Sequence, residues 1–430
     1  MATYDGGAMT RVSDASTTTQ KDRKSKTNPW RIVAAVLMVA VGIGILSVAM
    51  SGSEATNRDY TEYWAVGHQL VHRGNPYDAA SILLILQAAG SKATEHTHMI
   101  LRNPPSALFI TLPLGFVSVT TGAVVWSLAL IAALMASIRM LWIMHDRPED
   151  RLHLIGYMFP PVLACLLAGQ LGIFLLLGVT LFIYFQKSKP YLAGTALMLC
   201  ALKPHLFMPF GMALIVWMGV RKDYRVLIGA GAAVLASTGL ILCLDPAVFL
   251  HYAHGEKGEN IQALFIPCMS VLFRVVLHRS AVWLQFLPMF VGCVWAIWYF
   301  STRRARWSWL DHGPLLLLVS VLVAPYAWFT DESILLPAIL AGLYRASNAG
   351  RSLLTFGCIA GVALIEVLAG VPLPSGFYMW TAPAWLAWYL YAVRTTSSDV
   401  AGVGECKTHN ELVTSKLGQL KGQKVPADAE

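Results

Sequence analysis

The sequence predicts an all-α protein that crosses a membrane many times, and three observations carry that prediction. Of its 430 residues, 56% are hydrophobic and only 13% charged, about half the charge of a typical soluble domain. The apolar residues come in long stretches such as Val33–Val48 and Leu315–Val323, without the polar faces that surface helices of a soluble fold show. The charges gather between those stretches and at the two ends, where lipid-embedded segments leave them.

In chain order, residues 1–28 are rich in Thr, Ser and Lys and read as a disordered cytoplasmic tail; 396–430 read the same way. Residues 29–395 read as a single transmembrane domain. The polar start ahead of a full-length apolar run does not resemble a cleavable signal. Apolar segments lie near 31–50, 104–118, 121–143, 154–168, 171–186, 190–203, 205–220, 226–244, 281–300, 313–329, 332–345, 352–370 and 378–394. Several fall short of the roughly 20 residues of a full crossing, so tilted, broken or re-entrant helices are expected within a total of about 11–13 spans.

Orientation follows from the basic loops. Residues 21–31, 187–189, 221–225, 303–306, 345–351 and the C-terminal tail are expected in the cytoplasm. The loop 51–103 and the breaks at 169–170, 203–205, 245–262, 329–333 and 371–377 then face outward. Three full crossings between 104 and 168 would spoil this alternation. One of the pieces 104–118 and 154–168 is therefore expected to enter the membrane without crossing it. Within the long outer loop, 60–72 and 79–89 show helical spacing on either side of Gly74-Asn75-Pro76. Two short amphipathic helices on the membrane surface suit that pattern.

Several function classes drop away. The net charge of +8 is spread over tails and loops, which records insertion topology rather than a nucleic-acid surface. Trp30, Trp142, Trp217, Trp307 and Trp309 read as interfacial anchors. The seven cysteines show no CxxC spacing and read as small hydrophobes, with neither a disulfide frame nor a metal site. There is no Walker A, GxGxxG or HExxH motif. A run of intramembrane carboxylates, as in a proton relay, is absent too, as is an internal repeat of the transporter kind.

The residues that could carry chemistry are few. Asp59, in Arg58-Asp59-Tyr60-Thr61-Glu62-Tyr63-Trp64, is a carboxylate among aromatics, where partial desolvation tunes an acid for general base work; the bland alternative is a solvated interfacial acid. Lys203-Pro204-His205 interrupts an apolar stretch, an expensive arrangement unless both side chains meet water, an anion or a partner; snorkelling is the alternative for Lys203. Arg102, ahead of Asn103-Pro104-Pro105, could fork onto a phosphate or anchor at the interface. Asp331-Glu332 could bind sugar hydroxyls or take part in catalysis; a short polar turn is the alternative. Gln170, after Gly169, needs hydrogen-bond partners wherever it is buried.

Taken in order, these motifs resemble glycosyltransferase family 87, a group within the GT-C superfamily of polyprenyl-phosphate-dependent glycosyltransferases. The residues that carry the resemblance are Asp59 with Tyr63, then Gly74-Asn75-Pro76-Tyr77-Asp78, Asn103-Pro104-Pro105, Gly169-Gln170, Gly194 leading to Lys203-Pro204, and Pro325 through Trp328 to Asp331. The likeness covers roughly residues 30–395. Many members carry an aromatic before the Pro-Pro pair, where this chain has Asn103.

The resemblance implies a GT-C-type helix bundle in a bacterial inner membrane, with its active site on the outer face. It further implies sugar transfer with inversion from a polyprenyl-phosphate donor to a lipid or glycan acceptor, with no cofactor. Mannose is the first expected sugar and arabinofuranose the second; a transporter or flippase of lipid-linked sugars is the competing class. By the same resemblance Asp59 is the expected base, and Lys203, His205 and Arg102 the donor-phosphate ligands. Asp331, Gln170, Tyr63, Tyr77 and Asn103 are the expected substrate contacts.

Overall fold

The computed structural model describes residues 58–91, 102–258, 266, 268–369 and 375–394. Both predicted tails, the predicted first span at 31–50 and parts of the predicted outer loops lie outside these residues. Among the described residues there are fifteen α-helices, joined by short 3₁₀ turns, and no strand. The chain is an all-α polytopic membrane protein.

Helix α1 (Arg58–Val71) and helix α2 (Ala79–Ala88) come first, where the spacing of the outer loop predicts two short helices. Asp78 caps α2 by accepting from the Ser81 backbone N–H at 3.2 Å. The piece 104–118 is no span: it forms two 3₁₀ turns, Pro105–Ile110 and Leu112–Phe116. Helix α3 (Val119–Met144) follows, then the turn Leu152–Tyr157 and α4 (Pro160–Ala168). A helix of nine residues extends only about 14 Å, half the hydrocarbon thickness. Both short pieces before Gln170 therefore fall short of a crossing, where the sequence requires this of one.

The remaining helices are α5 (Gly172–Phe185), α6 (Pro190–Cys200), α7 (Met208–Arg221), α8 (Arg225–Leu244), α9 (Val248–Gly258), α10 (Met269–His278), α11 (Leu287–Arg303), α12 (Trp309–Leu322), α13 (Leu336–Asn348), α14 (Ser352–Ala369) and α15 (Thr381–Val393). Four helical stretches among the described residues are long and apolar enough to cross a membrane: α3, α8, Val282–Arg306 (which contains α11) and α14. The other apolar helices are shorter, as the broken pattern of the sequence predicts.

Helix α1 packs one face deep into the protein, while Thr61, His68, Gln69 and Val71 stay half-buried. Tyr60, Tyr63, Trp64, Ala65, Val66 and Leu70 are all buried. What holds it inside is close backbone approach: Gly67 and Gly115 face one another so tightly that a Cβ on Gly67 would sit 2.2 Å from the Thr111 carbonyl oxygen. Tyr60 Oη and Trp64 Nε1 add hydrogen bonds to the carbonyls of Val119 (2.6 Å) and Val117 (2.9 Å).

One expectation is corrected: Trp217 and Trp309, read from the sequence as interfacial anchors, are enclosed by protein. They are buried in an edge-to-face aromatic cluster with Phe182, Phe210 and Trp307, a geometry that favours core packing. Of the described cysteines, all six are free thiols and only Cys243 is exposed.

Candidate active site

Four chain breaks meet at one place. The first is the start of α1, where Asp59, Glu62 and Tyr63 share a face at helical spacing and are all buried. Asp59 is 8% exposed. Tyr63 lies one turn beyond it, and its phenol is held well above the ordinary value, first by burial and then by the negative charge of Asp59, with Asp331 and Glu62 adding to it. Carboxylates from two distant segments thus act on a single hydroxyl.

The second break follows α4, which ends at Gly169 in the left-handed region (φ +72°). Gly169 packs against Tyr60 so closely that a Cβ there would stand 2.6 Å from the tyrosine Cβ, and its carbonyl accepts from Trp126 Nε1 at 2.8 Å. This reversal presents Gln170 to the interior. Its Oε1 accepts three hydrogen bonds: from Tyr63 Oη at 3.0 Å, from the Leu171 backbone N–H at 3.1 Å and from Lys203 Nζ at 3.3 Å. Three donors on one oxygen fix which end of the amide is which.

The third break separates α6 from α7. Helix α6 stops at Cys200, and Asn103 Nδ2 donates to the carbonyl of buried Leu202 at 2.6 Å. Lys203 then turns inward ahead of the 3₁₀ turn Pro204–Phe207. Asn103 is itself held through its own carbonyl, which accepts from Tyr77 Oη at 2.8 Å. Tyr77 is fixed in turn by the Asn75 side chain, which accepts from the Tyr77 backbone N–H at 2.9 Å. The Asn-Pro-Tyr-Asp and Asn-Pro-Pro motifs thus shape the backbone that delivers Lys203.

The fourth break is the 3₁₀ turn Phe329–Leu335 between α12 and α13. Its Asp331 is 1% exposed. One carboxylate oxygen accepts from the Trp328 backbone N–H at 2.9 Å, and the other meets Lys203 Nζ at 2.7 Å. Lys203 and Asp331, separate candidates by sequence, form one ion pair. The ammonium uses two of its three donors, on Asp331 and Gln170, which leaves the third for a ligand.

His205 stacks on Tyr326 with ring centroids 3.8 Å apart. Burial lowers its pKa to about 3, with the nearby Asp331 opposing that shift and Lys203 reinforcing it; the ring is neutral at physiological pH. Arg102 is half-buried at the start of the Asn103 segment.

One acid escaped the sequence reading as a site residue, and another was read only as half of the Asp331-Glu332 pair. Glu62 is buried on the Asp59 face, and the i, i+3, i+4 spacing of Asp59, Glu62 and Tyr63 is the signal that could have found it. Glu332 is buried beside Asp331 and accepts from Thr381 Oγ1 at 2.6 Å, while its Oε2 has no partner. Burial pushes its pKa up to about 8, despite the Thr381 hydrogen bond. It borders a small cavity shared with Trp328, Phe329 and Tyr378. No sequence signal distinguishes a satisfied Glu332 from this half-satisfied one.

The arrangement can take a proton at a buried carboxylate and offer a cation to an anionic group nearby. Residues 102–344 match the model of glycosyltransferase family 87, a stretch that includes Gln170, Lys203 and Asp331 and begins after Asp59, Tyr63 and Tyr77. No curated protein and no solved structure matches the chain.

Proposed function

Because this chain belongs to glycosyltransferase family 87, a membrane glycosyltransferase, we propose that it moves a sugar from a polyprenyl-phosphate donor to a lipid or glycan acceptor. The transfer takes place at the outer face of a bacterial inner membrane and inverts the anomeric centre. Mannose is the first candidate sugar and arabinofuranose the second.

The observation that carries this reading is the meeting of Asp59, through Tyr63, with the Gln170–Lys203–Asp331 cluster. Asp59 takes the proton from an acceptor hydroxyl, and the oxygen attacks the anomeric carbon. The bond from that carbon to the phosphate oxygen breaks, and polyprenyl phosphate leaves with its electron pair. The developing charge on the phosphate favours a preorganised cation, and the third N–H of Lys203 supplies it. Neutral His205 and Arg102 are secondary candidates for the same phosphate. Asp331 holds Lys203 in place between turnovers.

Sugar transfer by purified protein in detergent, with polyprenyl-phosphate mannose and a panel of lipid acceptors, tests the proposal. Product from wild type and none from Asp59→Asn is the expected result. Product from both keeps the transferase and discards Asp59 as the base. Product from neither, with the arabinofuranosyl donor also inert, overturns the proposed donor class.

A further inference from the structure

Two neighbouring acids on one 3₁₀ turn are used differently. Asp331 meets Lys203 Nζ and the Trp328 backbone N–H. Glu332 reaches the start of α15 instead, where Thr381 Oγ1 donates to its Oε1 at 2.6 Å. Its Oε2 has no partner, although the residue is only 6% exposed. A buried oxygen left without a hydrogen bond is a cost that few native groups carry.

Glu332 lines a cavity built from four stretches of chain. They are the start of α10 (Met269), the end of α12 (Val321, Leu322), the turn itself (Phe329) and the entry to α15 (Tyr378, Ala382). With the open space at its mouth the cavity measures about 350 Å³. That is the low end for small-molecule sites, enough for one arm of a lipid-linked sugar and not for the whole. Among the lining residues Glu332 alone carries a carboxyl. Tyr378 Oη is already engaged by the Leu368 carbonyl at 3.0 Å, and its ring packs on Phe329 with centroids 4.7 Å apart. An occupant that suits these walls is hydrocarbon on most sides, with one hydrogen-bonding group. Burial keeps Glu332 protonated up to about pH 8, so that group is an uncharged hydroxyl rather than an ammonium or a metal ion.

We propose that Glu332 reads the exocyclic hydroxymethyl arm of the transferred sugar, with the hydroxyl on Oε2 and the methylene against Phe329 and Tyr378. The inference rests on the transferase reading above and names the feature by which the donor is chosen. The cavity shares its turn with Asp331, the partner of the lysine assigned to the donor phosphate, so the sugar beside that phosphate is the part of the substrate nearest to it. Mannose and arabinofuranose both carry such an arm. Their terminal deoxy analogues have a methyl group in its place and differ in nothing else.

The test measures transfer by the full-length protein in detergent from two pairs of donors: polyprenyl-phosphate mannose with its 6-deoxy analogue, and the arabinofuranosyl donor with its 5-deoxy analogue. Wild type is compared with Glu332→Leu and Glu332→Gln. The quantity read is the ratio of kcat/KM within a pair, in which any loss of folded protein cancels. Wild type is expected to favour the hydroxylated donor by at least about a hundredfold, because the analogue leaves a buried polar group unpaired. Glu332→Leu is expected to abolish or reverse that preference, since an apolar pocket gains nothing from a hydroxyl. Glu332→Gln, which keeps a hydrogen-bonding group, is expected to retain most of it.

Equal use of both donors by wild type overturns the proposal, whether or not the variants fold. A preference that persists in Glu332→Leu overturns it too, and both results leave the transferase reading standing. Wild type that transfers from neither pair overturns the proposed donor class, and this inference with it.

Discussion

Helices α13 and α14 are neighbours in the chain and both are apolar, yet they live in different solvents. Ten of the thirteen residues of α13 are buried in protein, whereas only 17% of the apolar window of α14 is. Hydropathy scores lipid and protein interior alike, because both exclude water. The chemistry follows the difference. Asp59, Gln170, Lys203 and Asp331 all sit on the short, broken, protein-enclosed pieces, and none sits on the four long helical stretches. Interruptions of this kind are tolerated at membrane depth only where other protein satisfies the freed polar groups. They are also the places where side chains from distant segments can converge.

This contrast can be broken, or sharpened, by substitution. The largest effect is expected at Asp59. Asp59→Asn should lower transfer by roughly 10²–10⁴-fold, the usual weight of a general base, with the detergent-solubilised unfolding temperature unchanged; a variant with full turnover removes Asp59 from the chemistry. Lys203→Ala leaves Asp331 buried without its counter-ion and should cost about 3–5 kcal/mol of stability. Adding Asp331→Asn should recover most of that loss in thermal unfolding, and an additive double variant would show that the pair is not coupled.

Gly169→Ala forces a side chain into positive φ and onto Tyr60, at a cost of roughly 1–3 kcal/mol. Gly357→Ala on the open face of α14, where nothing lies within 4 Å of the added carbon, should instead be neutral or stabilise by about 0.5–1 kcal/mol. Equal responses at the two glycines would erase the distinction between the two regions. A pH dependence is expected as well. Burial raises the Glu332 pKa to about 8 from an ordinary value of 4.5. The folded protein therefore holds that proton where the unfolded chain releases it, and stability falls as pH rises between those values. Unfolding temperatures at pH 5 and pH 8.5 should differ less in Glu332→Gln than in wild type.

Much of the fold was legible in the sequence because lipid is a simple solvent. The helices α3, α8, α11 and α14 appear where the apolar runs are long, and the short pieces where the runs are short. What failed was any judgement about which face a helix turns where. Tyr60–His72 shows its apolar residues at helical spacing, but the facing glycines at 67 and 115 that set how closely it packs are 48 residues apart and carry no local signature. Trp217 and Trp309 look interfacial for the same reason: a tryptophan near a charged loop anchors in lipid or packs in a core, and only its neighbours decide. The candidate residues were legible singly, through their order along the chain. Their pairing was not, since nothing in the sequence says that residues 128 positions apart, Lys203 and Asp331, bring ammonium and carboxylate to 2.7 Å.

That separation also orders the making of the protein. Tyr63 and Gln170 stand 107 positions apart, and Gln170 and Lys203 a further 33. During synthesis, α1 with its acid is finished first, the glutamine oxygen next and the lysine after that. The lysine's counter-ion then comes off the ribosome last, about 6–26 seconds behind it at typical elongation rates. Until then the nascent chain holds an ammonium group without its eventual partner Asp331, and the cluster closes only when the turn after α12 has been made.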